Sequence, residues 1–208
     1  MIIKICGLQK PEDAAVASEM GADLLGVVFA ASQRQQSLTN ARAIFAAALP
    51  HSERVGVFVN ATKDMVCEVI EYCQLDRVQF GGSESAEFCR QFGHRAIKTL
   101  RLPNDQDLFC DYEVPVFHLD TVHDSFAGGT GQPWNYTLAH EVTKKYRVLL
   151  GGGLTPHNVV DAIAEAQPYG VDVSSGVETN GEKDPRKISS FISAVRKTSK
   201  NHGPIACR

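Results

Sequence analysis

The sequence contains no Cys-x-x-Cys pair. Its six cysteines stand at positions 6, 67, 73, 89, 110 and 207 without regular spacing. That pattern argues against a zinc ribbon or a disulfide framework and points to a reducing, cytoplasmic compartment. No apolar run approaches the roughly 18 residues of a membrane span. The opening Met1-Ile2-Ile3-Lys4 is too short to read as a secretory signal. There is no basic stripe and no acidic block. The formal net charge is −3 with both signs interspersed, which speaks against nucleic-acid and membrane partners. There is no His-Glu-x-x-His pair. The first apolar run ends in Cys6-Gly7-Leu8, not in the Gly-x-Gly-x-x-Gly turn of a dinucleotide-binding open sheet. No segment reads as an interdomain linker, and the helix faces carry no apolar excess, so the chain is expected to be a monomer.

What is present is repetition. With 43% apolar residues, the 208-residue chain can build one sizeable core. Short apolar runs at Ile2–Cys6, Leu24–Phe29, Arg54–Val59, Arg77–Phe80, Ala96–Thr99, Val114–Asp120, Arg147–Leu150 and Val171–Ser174 read as strands. Helix-compatible segments begin near Pro11, Thr39, Thr62, Glu84, Asp105, Pro133, Pro156 and Pro185, with Thr155 and Asp184 as N-caps. Met65, Val69 and Tyr72 share one face of the third helix. Eight strand–helix units of roughly 26 residues predict a parallel sheet closed into a (β/α)8 TIM barrel. The single domain is expected over residues 1–198, with a loose C-terminal tail over 199–208. A doubly wound open sheet is the structural rival.

Two glycine-rich turns lie on the last two units: Gly151-Gly152-Gly153-Leu154-Thr155-Pro156 and Ser174-Ser175-Gly176. Glycine lets backbone amides approach a ligand, and a helix start supplies unpaired donors, so the pair reads as a phosphate cradle. Strand alternation groups Lys4 with Cys6, His118 with Asp120, and Asp172 with Ser174. Cys6 and Asp120 then stand at the same mouth. A thiol and a carboxyl group facing each other suit acid–base isomerisation. Lys4 is free either to favour the Cys6 thiolate or to pair with Asp172, and the cost of an unpaired buried lysine favours the pair. Asp120 needs a raised pKa to act as an acid, or serves only as a local cap. His118, Asp120 and His123 superficially resemble metal ligands, but alternation scatters them, so neither metal nor cofactor is expected. Gly128-Gly129-Thr130-Gly131 reads as a third anion nest or a loop.

Together these residues resemble the phosphoribosylanthranilate isomerase family of tryptophan biosynthesis. The resemblance runs from Lys4 to about Val195 and rests on Lys4-Ile5-Cys6-Gly7, Gly21-Ala22-Asp23, Val55-Gly56-Val57-Phe58-Val59-Asn60, Leu119-Asp120 and Gly128-Gly129-Thr130-Gly131. It continues through Gly152-Gly153-Leu154-Thr155-Pro156, Asp172-Val173-Ser174-Ser175-Gly176-Val177-Glu178 and Lys183-Asp184-Pro185. It implies a cofactor-free barrel that rearranges a phosphorylated aminosugar. By the family's pattern, Cys6 is the general base and Asp120 the general acid. Gly152, Gly153, Ser174 and Ser175 would hold the phosphate, with Asp172 beside them in the binding set. Arg34 would meet the anthranilate carboxylate. The sequence departs from the pattern at Gln33, where proline is usual and its loss should loosen the loop. It departs again at Gly81, where histidine is usual, and at His118, where an apolar residue is usual. His118 is expected to fill part of the role vacated at position 81. Rival functions are a Schiff-base lyase or aldolase using Lys98, a barrel that has lost turnover, and a relative that also isomerises an aminoimidazole substrate. That last group uses aspartate where Cys6 stands.

Overall fold

The computed structural model describes residues 1–121 and 136–201. Eight parallel strands close into a barrel in sequence order. They are β1 (Ile2–Cys6), β2 (Leu24–Val28), β3 (Glu53–Phe58), β4 (Arg77–Phe80), β5 (Ala96–Leu102), β6 (Val116–Thr121), β7 (Val148–Leu150) and β8 (Gly170–Val173). β8 returns to β1 with Lys4 opposite Asp172, which closes the ring and removes both sheet edges. The barrel is therefore as expected, and the open-sheet rival is excluded.

The helices are α1 (Pro11–Glu19), α2 (Leu38–Ala46), α3 (Lys63–Cys73), α4 (Ala86–Arg90), α5 (Tyr136–Thr143), α6 (Val159–Ala166) and α7 (Pro185–Asn201). Ser37, Thr62 and Ser85 cap α2, α3 and α4 by accepting the N3 amide. Asp184 caps α7, its Oδ1 accepting from the amides of Arg186 and Lys187 at 2.9 and 3.3 Å. Thr155 does not cap α6, which starts later, at Val159. The fifth unit holds only a 3-10 turn, Gln106–Cys110, where a helix was expected. Asp105, Asp107 and Asp111 crowd that short segment, and such residues favour turns over helix interior. The start near Pro133, His123 and the Gly128–Gly131 stretch fall outside the described residues. The last helix runs on to Asn201, into the segment read as a tail, and residues 202–208 lie outside the described residues.

Two packing regions hold the barrel. Outside the strands, Phe58, Phe80, Phe88 and Phe92 form successive ring contacts with centroids 5.0–6.3 Å apart. Inside, near the N-terminal end, Leu24, Val55, Ile97 and Leu149 make an apolar plug. Removing one such phenylalanine typically costs about 3–5 kcal/mol. Above the plug the interior turns polar, and that is where the functional side chains collect.

Candidate active site

Alternation along each strand sends Lys4 and Cys6 of β1 inward with Gly26 of β2, Gln79 of β4, Thr99 of β5, His118 and Asp120 of β6, Gly151 just past the end of β7 and Asp172 of β8. Glycine at 26 and 151 is a space requirement. A Cβ on Gly26 would lie 2.9 Å from Cys6 Sγ and 3.3 Å from Lys4 Cε. One on Gly151 would lie 2.5 Å from His118 Nε2.

The interior polar groups form one network. Lys4 Nζ donates to Asp172 Oδ1 at 3.0 Å, with the lysine fully buried. His118 Nε2 lies 3.0 Å from Asp172 Oδ2. The other ring nitrogen, Nδ1, faces Thr99 Oγ1 at 3.2 Å and Gln79 Nε2 at 3.3 Å. The expected Lys4–Asp172 pair is present. His118 sits deeper than Gly81 and bonds Gln79 rather than filling the space at position 81. Arg101 reaches that region instead, donating from Nη2 to the Gly81 carbonyl at 3.3 Å.

The charges of this network are set by burial working against neighbours. Burial opposes the Lys4 ammonium, but Asp172 and then Cys6 outweigh it, so its pKa is pushed up to about 12. Burial would raise the Asp172 carboxyl, yet Lys4 and His118 hold it well below the usual carboxylate range. Burial pushes the Cys6 thiol up, and the Lys4 charge only partly offsets this.

The mouth is built from the strand ends. Cys6 ends β1, and Asp120, half-buried, stands in register with Arg101 near the end of β6. In the ring, β6 and β1 are three steps apart through β7 and β8. The phosphate-loop candidates lie beside β1. Gly152 and Gly153 hold positive φ of 77° and 74°, the left-handed backbone that glycine adopts without strain. A one-turn 3-10 helix, Ser175–Val177, follows β8 where a helix start was read. The two loops touch: a Cβ on Gly176 would collide with the Leu154 carbonyl oxygen.

Arg34 crosses from the β2 loop over Gly7 to the β8 loop. A Cβ on Gly7 would lie 2.6 Å from Arg34 Cδ and 2.9 Å from Ser174 Oγ. The guanidinium donates from Nε and Nη2 to Glu178 at 2.8 and 2.7 Å. Lys183 Nζ donates to the same carboxylate at 2.6 Å and to the Ser174 carbonyl at 3.1 Å. Glu178 and Lys183 thus hold Arg34 and Ser174 together. Both lie in quoted motifs, yet their spacing alone assigned them no role. They flank a two-strand hairpin, β9 (Glu178–Thr179) and β10 (Glu182–Lys183), that brings them face to face. The loop around Gln33 carries hydrogen bonds to its neighbours. Gln9 Nε2 donates to the Gln33 carbonyl at 3.3 Å, Asn40 Nδ2 donates to Gln36 Oε1 at 2.5 Å, and the Gln36 amide donates to the Val28 carbonyl at 2.9 Å.

Lys98 is a correction to the Schiff-base rival. It occupies an outward position on β5, its Nζ donating to Glu84 Oε2 at 2.8 Å and to the Gly82 carbonyl at 2.6 Å. Glu84 also accepts the amides of Asn60 and Gly82, at 2.7 and 2.9 Å. The pair fastens loops outside the barrel, and the amine is not at the mouth.

Fold and site define a (β/α)8 barrel with acid–base groups at the C-terminal lip and paired loops suited to phosphate. The family model described as N-(5'-phosphoribosyl)anthranilate (PRA) isomerase matches residues 3–194. An N-(5'-phosphoribosyl)anthranilate isomerase of Desulforamulus reducens is 41% identical over 201 residues, 96% of this chain and 97% of that protein. The Thermotoga maritima phosphoribosyl anthranilate isomerase structure has a TM-score of 0.84 at 37% identity, covering 95% of this chain and all of that one. A phosphoribosyl anthranilate isomerase solved with reduced 1-(o-carboxyphenylamino)-1-deoxyribulose 5-phosphate scores 0.81 at 36% identity, with the same coverage. The chain belongs to the N-(5'-phosphoribosyl)anthranilate isomerase family, the isomerases of tryptophan biosynthesis.

Proposed function

We propose that this chain catalyses the Amadori rearrangement of N-(5-phosphoribosyl)anthranilate with Cys6 as general base and Asp120 as general acid. The carrying observation is that both groups occupy inward positions at the C-terminal ends of their strands, with the two touching loops beside β1. Asp120 gives its proton to the ring oxygen as the C1–O bond breaks, and the anthranilate nitrogen forms the C1=N double bond. The Cys6 thiolate takes the C2 proton, and that electron pair forms C1=C2 while the nitrogen becomes neutral. The O2 proton then leaves and C1 gains one, giving the ketose. Gly152, Gly153, Ser174 and Ser175 hold the 5-phosphate, and Asp172 fixes the lysine below the sugar. Arg34, oriented by Glu178, offers its remaining edge to the anthranilate carboxylate.

The enzyme acts as a monomer in the cytoplasm. The five described cysteines are free thiols, and the exposed large apolar residues, such as Met65, Leu108 and Val160, are scattered over separate elements. Against this stands the Thermotoga maritima relative, described as dimeric, so sedimentation of the purified chain decides the state. The activity is tested by following anthranilate fluorescence with freshly made substrate. Cys6→Ser and Asp120→Asn should each lower kcat by about 10²–10⁴-fold without loss of folding. Wild-type turnover in both variants would overturn the role assignment.

A further inference from the structure

Four ionisable side chains cross the barrel interior in the order Cys6, Lys4, Asp172, His118. Lys4 and Cys6 share one inward face of β1 and both crowd Gly26, where an added Cβ would lie 2.9 Å from Cys6 Sγ and 3.3 Å from Lys4 Cε. Asp172 divides its two oxygens, Oδ1 to Lys4 and Oδ2 to His118, each at 3.0 Å. An imidazole in a core position is costly unless its nitrogens meet polar groups: Nδ1 faces Thr99 and Gln79, while Nε2 lies 3.0 Å from Asp172 Oδ2 as a charge contact outside hydrogen-bond geometry. With Cys6 as thiolate and His118 as imidazolium, the order reads minus, plus, minus, plus, so every neighbour is of opposite sign. With both neutral, only the central pair is charged. Either state leaves the interior with no net charge, which a low-dielectric site favours.

We propose that His118 is a positioning residue for the general base: its proton draws Asp172 away from Lys4 and leaves the ammonium to favour the Cys6 thiolate. This rests on Cys6 being that base. The proton lost from Sγ leaves to solvent, and Nδ1 gains one from solvent, while Lys4 and Asp172 keep their states. The receiving side is already built. Nδ1 faces Thr99 Oγ1, an acceptor, and Gln79 Oε1 is buried with no hydrogen-bond partner. A half-turn of the Gln79 amide offers that oxygen to Nδ1–H. The charged groups around Cys6 are Lys4, Asp172, Lys183 and Arg34. Around His118 they are Asp172 and Lys4, with neutral Thr99, Gln79 and Gly151 on the other strands, and with Asp120 and Arg101 further toward the mouth.

The test compares His118→Leu and His118→Gln with the parent. Glutamine keeps a neutral donor toward Asp172, and leucine removes it. Two readouts are taken across pH: kcat/KM with phosphoribosylanthranilate, and the rate of Cys6 alkylation by iodoacetamide resolved by peptide mass mapping. Both variants should move the rising limb and the alkylation midpoint about one pH unit alkaline, an about tenfold loss at fixed pH below the limb, with KM unchanged. An unmoved limb in His118→Leu overturns the proposal. So does full restoration by glutamine, which would reduce the role to a hydrogen bond. Full turnover in Cys6→Ser would instead sink the base assignment beneath it.

Discussion

Asp172→Asn tests the interior charge pairing most directly. Lys4 has no solvent exposure, and the Asp172 side chain is 9% exposed at 3.0 Å. Removing the carboxylate leaves an ammonium inside the barrel with no anion in contact. Breaking a buried pair by deleting one partner costs about 3–5 kcal/mol, a large share of a typical 5–15 kcal/mol total. The pH dependence sharpens the test. In the parent, Lys4 is raised from 10.5 to about 12, so its contribution, on the order of 2 kcal/mol, is fully present below pH 10.5 and lost as pH climbs toward 12. Asp172 is held below its ordinary 3.8, so its contribution is present above that value and lost as pH falls through the acid range. In the variant, burial, the largest influence on Lys4, is opposed by Cys6 alone and lowers its pKa. The unfolded chain then binds more protons, and variant stability rises with pH toward 10.5. Urea unfolding should therefore show the widest gap between parent and variant near neutral pH, narrowing by pH 10.5 and again in acid. A gap below about 1 kcal/mol at pH 7, or one indifferent to pH, would refute the reasoning.

Two further outcomes follow from the same packing. Gly151→Ala forces a Cβ to within 2.5 Å of His118 Nε2 and 3.1 Å of the Leu119 carbonyl, so it should cost about 1–3 kcal/mol, and an unchanged thermal midpoint would contradict this. Lys98→Met strands Glu84 among backbone amides outside the barrel, so the urea midpoint should fall while kcat stays that of the parent; loss of turnover in the folded variant would return Lys98 to the chemistry.

The strands were legible because their signal is local. A short apolar run marks each one whatever its partner, and eight such units leave few ways to hide an edge. Helix starts were less legible. Pro156 suggested a start that the chain delays to Val159, and the fifth unit's acidic turn residues overrode its register. Cys6 and Asp120 were legible as candidates because each stands at the C-terminal end of its apolar run, and the family resemblance gave them their roles.

The sequence by itself determined the repeat, the inward set of residues and the glycine loops, since these depend on neighbours one to four positions away. Only the closed barrel decided which inward groups meet. Lys4 joins Asp172 across 168 residues and Arg34 joins Glu178 across 144, and those pairings follow from strand register, which no local pattern encodes. The same closure turned Lys98 outward to Glu84 and drew His118 into the polar network with Gln79 and Thr99, because a ring of eight strands fixes both the face and the depth of every side chain.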